Sequence, residues 1–326
     1  MQESGVLIIL GNGHNLGMGL RTKYDQFASL YLRNNDESDF SESSKLQSFL
    51  VSSYQVCKDQ SRPWSDMEGE IKRFALSVDV HSIDVEKERS YFESLIRDMG
   101  FYMNGETNYQ FLCNHLEEKK DFQMSFPVFL LRCLLEQDKH YKILSFNYTN
   151  LRFLLDSLGK EILCSEVVNQ DEITDSMLSR YIDDRVDVEY VHLTSKKCVL
   201  GIEDDPSVPT ELSYLKKSYQ FDGSDSYPED YGSFKTIIVF GHSLGASDSD
   251  FVKKLFDGMM LKDKNDNPRF FFVTKDNRGK DAILLNLCSH LNASLTTIQK
   301  HLNYEFIIDD NSDYYGIRTS LMSALN

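Results

Sequence analysis

Short apolar runs recur along the chain and are separated by amphipathic stretches. Six runs rich in β-branched and aromatic residues predict strands, at Val6–Leu10, Lys142–Phe146, Val188–Leu193, Lys235–Gly241, Arg269–Thr274 and Tyr304–Asp309. Most are apolar at consecutive positions, which is typical of strands covered on both faces. Between these runs, apolar residues recur at the spacing of a helix, as at Asp248–Leu261 and Arg278–Leu291. This alternation predicts an α/β fold with a doubly wound, mostly parallel, Rossmann-like sheet.

One long interval, about 35–138, contains no strong strand pattern. Apolar residues instead recur every three or four positions in Glu86–Met103, Glu106–Glu118 and Phe126–Gln137. We therefore expect a single α/β domain over 1–326 with a helical insertion after the first strand. Such an insertion would lie over the carboxyl edge of the sheet, where open α/β sheets bind ligands.

Charge and cysteine usage exclude several classes of protein. The 326 residues carry a formal net charge of −16, which disfavours binding to nucleic acids and to anionic membranes. Six single cysteines and eight histidines show neither C-x-x-C nor H-x-x-x-H spacing, so we expect no metal site and no disulfide framework. The first apolar run is too short for a signal peptide, and a cytoplasmic location is the expectation.

The first predicted strand runs directly into Gly11-Asn12-Gly13-His14-Asn15. A glycine turn between a strand and a helix can direct backbone N–H groups at a phosphate. With Gly17, however, the glycines do not match G-x-G-x-x-G. The alternative is a strand-to-helix turn without a ligand.

Two polar residues follow the second and third predicted strands. Asn147 has both a donor and an acceptor, which suits ribose hydroxyls or a water molecule. Its alternative role is to cap the next helix, which Asn150 would do better. His192 ends the third strand and is suited to proton transfer, although a lone histidine is as often structural.

The fourth strand leads into Gly241-His242-Ser243-Leu244-Gly245, which matches the G-x-S-x-G nucleophile elbow. A serine esterase would use Ser243, and its partners would come from Asp266, Asp276, His290 and His301. His290 lies within a predicted helix and His301 precedes the last strand. The order of these residues therefore disfavours an esterase.

A further stretch, Trp64-Ser65-Asp66-Met67-Glu68, contains the only tryptophan. Ser65-x-x-Glu68 resembles a capping box, and both carboxylates are favourable at a helix N-terminus. A structural role is the favoured interpretation of Asp66 and Glu68.

Four of these segments together resemble the bacterial abortive-infection family AbiH. The family patterns G-N-G-F-D-L-x-x-G-L-x-T-x-Y, W-x-D-x-E, F-N-Y-T and G-H-S-L-G/E-x-D correspond to Gly11–Tyr24, Trp64–Glu68, Phe146–Thr149 and Gly241–Asp248. The chain departs from the family in His14-Asn15, where Phe-Asp is usual, and in His192-Leu193, where His-Gly is usual. The resemblance implies a bacterial anti-phage protein.

AbiH in turn is similar to sirtuin-like NAD-binding domains of phage-defence NADases. That similarity implies NAD as ligand or substrate, with catalytic roles for Asn147, which would contact ribose or the attacking water, and for His192, as base. The implied cofactor-binding residues are Gly11, Asn12, Gly13, His14, Asn15, Gly241, His242, Ser243, Leu244 and Asp248.

Thr149 stands where the sirtuin-like pattern has an acidic residue. Together with Leu193, this departure favours the rival hypothesis of a non-catalytic nucleotide sensor or protein-interaction module. The expected partners are a small-molecule nucleotide and a phage-derived trigger or partner protein, and the hypothesis leaves room for a homo-oligomer.

Overall fold

The computed structural model describes residues 2–31, 44–61, 66–117, 125–166, 173–192, 198–220, 231–309 and 314–325. By their mutual contacts the residues form two compact units. Unit 1 comprises Met1–Leu20, Asn108–Val191 and Ser226–Asn326, and unit 2 comprises Arg21–Thr107 and His192–Asp225.

Unit 1 is built on a six-stranded sheet in which every neighbouring pair is parallel. Its strands are β1 (Gln2–Leu10), β2 (Lys139–Ser145), β3 (Val186–Tyr190), β4 (Thr236–Phe240), β5 (Arg269–Thr274) and β6 (Asn303–Ile308). Their spatial order is β3-β2-β1-β4-β5-β6. The α/β doubly wound fold predicted from the sequence is thereby confirmed.

Helices connect and flank these strands. In the described residues they are α1 (Asn12–Gly17), α2 (Tyr24–Tyr31), α3 (Lys45–Asp59), α4 (Met67–Ser77), α5 (Val85–Glu117), α6 (Phe126–Glu136), α7 (Leu151–Glu166), α8 (Asp175–Asp183), α9 (Lys217–Gln220), α10 (Ser249–Phe256), α11 (Asn277–His290), α12 (Leu295–His301) and α13 (Tyr314–Leu325). Over the part of the chain that is described, none of them combines the length and apolar character that crossing a membrane requires.

The sheet is covered on both faces because its strands are apolar at consecutive positions. In β1, Ile8 and Leu10 pack into one core cluster, whereas Leu7 and Ile9 pack into another on the opposite face. All four side chains are fully buried. Each contributes about 1.5–3 kcal/mol of hydrophobic free energy.

The strand order reverses direction between β1 and β4. The chain leaves β1 toward β2 and β3 on one side and leaves β4 toward β5 and β6 on the other. In doubly wound sheets such a switch point opens a crevice at the carboxyl ends of the two central strands. Gly11 follows β1 at this edge, and Gly241 follows β4.

The predicted helices differ from the observed ones in two places. The two helices expected at Glu86–Met103 and Glu106–Glu118 form one continuous helix, α5. The helix expected at Asp248–Leu261 ends at Phe256, because Gly258 takes a left-handed conformation and a short 3₁₀ turn follows. All six strands are found within a few residues of their predicted bounds. Leu193, the predicted end of the third strand, lies outside the described residues.

Unit 2 contains α2, α3, α4, α5 as far as Thr107, α9 and a 3₁₀ turn at Thr210–Leu215. Helix α4 packs against both α3 and this turn. Asp66 caps α4, since its carboxylate accepts a hydrogen bond from the N–H of Gly69 at 2.7 Å. Trp64 and Ser65 lie outside the described residues, so the capping box at Ser65 stays a prediction.

Candidate functional site

The glycine turns after β1 and β4 contact each other directly. Gly13 donates its N–H to the carbonyl of Gly241 at 2.9 Å, and Gly11 donates to the carbonyl of Phe240 at 2.9 Å. Gly241 has φ +64°, and a Cβ added there would lie 2.6 Å from Cα of Gly13 and overlap the backbone nitrogen of His14. Glycine is therefore required for the two turns to approach this closely.

The same contacts occupy backbone donors that the sequence assigned to a phosphate. Besides Gly11 and Gly13, Gly241 donates its N–H to the carbonyl of Val273 at 3.1 Å. The N–H of Leu244 points to a side chain within its own turn. The glycines of both turns thus have a structural role, and a ligand at this edge would rely on other donors and acceptors.

His14 is completely buried in α1. Its ring meets Phe240 edge-on, with 5.2 Å between the ring centroids. Neither ring nitrogen has a hydrogen-bond partner of ordinary geometry among the described residues. Burial lowers the pKa of His14 to about 4, so the imidazole is neutral at pH 7.

Asn15 joins α1 to the segment that follows β2. Its side-chain amide donates to the hydroxyl of Thr149 at 2.8 Å, and both residues are buried. Asn15 departs from the AbiH pattern, and Thr149 departs from the sirtuin-like pattern. An aspartate at position 15 would accept a hydrogen bond from the Thr149 hydroxyl, whereas Asn15 donates one, so the contact can be made with either residue.

Asn147 lies two residues beyond β2 with only 3% of its surface exposed. Its side-chain oxygen is buried and has no hydrogen-bond partner among the described residues. Leaving such a group unpaired costs about 1–3 kcal/mol. Asn150 accepts from the N–H of Arg152 at 2.9 Å, next to the start of α7 at Leu151, as a capping residue does. The Asn147 oxygen is therefore an acceptor suited to a hydroxyl group or a water molecule.

His242 shapes the turn after β4. Its Nδ1 accepts the N–H of Leu244 at 2.9 Å, which leaves the ring proton on Nε2, 3.5 Å from a carboxylate oxygen of Asp248. The ring packs edge-on against Phe146 at 4.3 Å between centroids. Leu244 is fully buried and has φ +51°, a conformation that the His242 contact helps to hold. His242 and Asp248 thus stabilise the turn.

Ser243 is exposed in this turn, but the geometry does not form an esterase triad. The positive φ angles of the turn fall at Gly241 and Leu244 and not at the serine. His290 Nε2 lies 3.0 Å from the Leu244 carbonyl, and His301 Nδ1 lies 3.0 Å from the Lys262 carbonyl. Among the described contacts no histidine pairs with the Ser243 hydroxyl, which disfavours the esterase hypothesis.

His192 belongs to unit 2, where it lies in a cluster with two other buried polar residues, Glu68 and Lys217. Lys217 Nζ lies 3.2 Å from His192 Nε2 and 3.2 Å from each carboxylate oxygen of Glu68. Glu68, His192 and Lys217 are 4%, 5% and 8% exposed. Helix capping explains Asp66 but not Glu68. The carboxylate of Glu68 forms a buried ion pair with Lys217.

Sequence reasoning missed Lys217. It follows Lys216 in a stretch without regular periodicity, and such a pair resembles a solvated charge run. The contact with Glu68 spans 149 positions. The apolar Tyr214-Leu215 just before it gave the only local signal that this segment is buried.

No group of three or more histidine, cysteine or acidic residues in the described ranges is arranged to hold a metal ion. Cys57, Cys133, Cys164, Cys198 and Cys288 are free thiols. Burial raises the pKa of Cys198 to about 12, so this thiol is unreactive at neutral pH.

A comparison with protein families matches residues 7–265 to the family described as bacteriophage abortive infection AbiH. The chain belongs to the AbiH family. Membership implies a bacterial anti-phage function by abortive infection, as the four motifs predicted. Comparisons with curated proteins and with solved structures gave no match. The likeness to sirtuin-like domains stays a prediction.

The AbiH motifs divide between the two units. The glycine turn, the F-N-Y-T segment and the G-H-S-L-G segment follow β1, β2 and β4 and lie in unit 1. The described end of the W-x-D-x-E motif lies in unit 2, where it contributes the cap of α4 and the buried Glu68. Three of the four motifs therefore meet at the carboxyl edge of one sheet.

Proposed function

We propose that this AbiH protein binds a nucleotide, with NAD as the first ligand to test, at the carboxyl edge of the unit 1 sheet. The observation that carries the proposal is Asn147, whose buried side-chain oxygen has no donor among the described residues. It follows β2, next to the switch point between β1 and β4, which is where doubly wound sheets bind ligands.

The chemistry of this edge favours a ligand with hydroxyl groups. An amide oxygen accepts hydrogen bonds, and a ribose hydroxyl would supply the missing donor to Asn147. The side chains of Asn12 and Ser243 are exposed at the ends of β1 and β4 and offer further polar contacts to ribose or phosphate. Because the glycine N–H groups bond within the protein, side chains would carry much of the specificity.

Hydrolysis of NAD is the second candidate, and Asn147 favours it as well. In this reaction the bond between ribose C1 and the nicotinamide nitrogen breaks, and the electron pair leaves with nicotinamide. Water adds to the ribosyl cation and releases a proton to the solvent. The transition state needs the ribose to be held and one face to be open to water. Asn147 would hold a hydroxyl or that water. The role of base for His192, which belongs to unit 2, stays a prediction.

Calorimetric titration with NAD and with ADP-ribose tests the binding proposal. We expect Asn147→Ala to weaken binding about tenfold, the loss of one buried hydrogen bond. Asn150→Ala is the matched control, because this asparagine lies three residues further on and caps α7. It should leave the affinity unchanged. If neither compound binds the wild-type protein, the proposal fails.

Nicotinamide release separates a hydrolase from a sensor. The assay uses purified protein with NAD, alone and with lysate of phage-infected cells to supply a trigger. We expect release that Asn147→Ala abolishes. Binding of NAD without release under both conditions would overturn hydrolysis and favour the sensor.

A further inference from the structure

The buried cluster of Glu68, His192 and Lys217 determines where His192 carries its proton. A lysine ammonium group has three N–H donors and no acceptor. Its contact with His192 at 3.2 Å is therefore a hydrogen bond from Nζ to Nε2. A neutral imidazole that accepts at Nε2 must carry its single proton on Nδ1.

Glu68 keeps Lys217 in the form that donates. Both carboxylate oxygens lie 3.2 Å from Nζ, and both side chains are almost completely buried. An ammonium group without a counter-charge would be costly in this environment, whereas the ion pair with Glu68 stabilises it. The exposed pair of Lys72 and Asp205, also in unit 2, has a similar distance of 2.8 Å but touches no histidine.

We propose that Lys217 is a positioning residue that fixes His192 as the neutral imidazole with its proton on Nδ1. His192 Nε2 then accepts a hydrogen bond from Lys217 and carries no proton. This arrangement is the reverse of His242, in which Nδ1 accepts a hydrogen bond and Nε2 carries the proton. The two ring states follow from different neighbours, an ammonium group in one case and a backbone N–H in the other.

The assignment bears on the role of base that the sequence suggested for His192. With Nε2 accepting a hydrogen bond from Lys217, that nitrogen is not available as a general base.

The tautomer can be measured without any nucleotide. In the full-length protein with ¹⁵N-labelled histidine, NMR distinguishes protonated from unprotonated ring nitrogens, and His192→Asn identifies the His192 signals. We expect a protonated Nδ1 and an unprotonated Nε2 at pH 7. Lys217→Met should convert this pattern to averaged signals of two tautomers, while Lys72→Met should leave it unchanged.

A second variant covers the case in which Lys217→Met does not fold. Lys217→Arg keeps a cationic side chain that has N–H donors and no acceptor. We expect it to retain the Nδ1-protonated pattern. A protonated Nε2 in the wild type, or averaged tautomers in a folded Lys217→Arg variant, would overturn the proposal.

Discussion

Two left-handed glycines of unit 1 have opposite surroundings. Gly241 has φ +64° and lies against the first glycine turn, whereas Gly258 has φ +71° and no atom would lie within 4 Å of an added Cβ. Gly258→Ala should therefore cost only backbone strain, about 1–2 kcal/mol. Gly241→Ala adds an overlap with the backbone of Gly13 and His14, and we expect a loss greater than about 4 kcal/mol.

Urea unfolding of the two alanine variants measures this difference. The comparison isolates the contact between the turns, because the conformational strain is similar at both positions. Equal losses for Gly241→Ala and Gly258→Ala would mean that the turns can separate without cost, which would contradict the close approach.

Burial of His14 makes stability depend on pH. Its pKa is lowered from 6.5 to about 4 in the folded protein, so the unfolded chain binds more protons between these values. Stability is therefore lost as the pH falls from about 6.5 to 4, by up to about 3 kcal/mol from this residue. His14→Phe, which keeps a ring against Phe240, should remove that part of the loss.

Unfolding free energies at pH 4, 7 and 8 check this prediction. The difference between wild type and His14→Phe should change by about 3 kcal/mol between pH 7 and 4. It should change by only about 0.2 kcal/mol between pH 7 and 8, where His14 is mostly neutral in both states. A constant difference over the whole range would show that His14 is not desolvated in the folded protein.

Helix α3 begins with two backbone donors that a distant carboxylate accepts. Glu88 on α5 accepts from the N–H groups of Lys45 and Leu46 at 2.7 and 2.8 Å, and its side chain is buried. In Glu88→Gln the amide can accept only one of these bonds and turns an N–H toward the other. We expect a loss of about 1–3 kcal/mol in unfolding free energy.

Glu86→Gln is the matched control, since Glu86 lies two residues earlier on α5 and is exposed. Its loss should stay below about 1 kcal/mol, the value of a charge near a helix N-terminus. If the two variants had equal stability in urea, the hydrogen bonds to α3 would contribute nothing.

The strands of this protein could be predicted because their signal is local. Leu7, Ile8, Ile9 and Leu10 are apolar at consecutive positions, because both faces of the strand are buried. Asn147 and Gly241 could be found for the same reason, as they directly follow such strands. Glu88 and Lys217 could not, because each acts through a partner at least forty positions away and neither has a local pattern.

The topology of the sheet relates segments that are far apart in the sequence. Because all six strands are parallel, the turns after β1, β2 and β4 lie at one edge and the preceding connections lie at the other. Three AbiH motifs fall at the carboxyl edge, while the net charge of −16 disfavours a polyanionic partner. A small ligand bound at this edge would therefore contact three distant segments at once.

Hydrogen exchange with and without NAD tests this arrangement directly. At a ligand concentration of 100 Kd, exchange should slow about a hundredfold at residues 11–17, 145–149 and 240–248 together, because opening these segments requires release of the ligand. Residues 234–236 and 267–269, at the amino edge of the same sheet, should keep their rates. Asn147→Ala at the same NAD concentration should show about tenfold weaker protection. Protection confined to residues 45–77 of unit 2 would place the ligand elsewhere and contradict binding at the switch point.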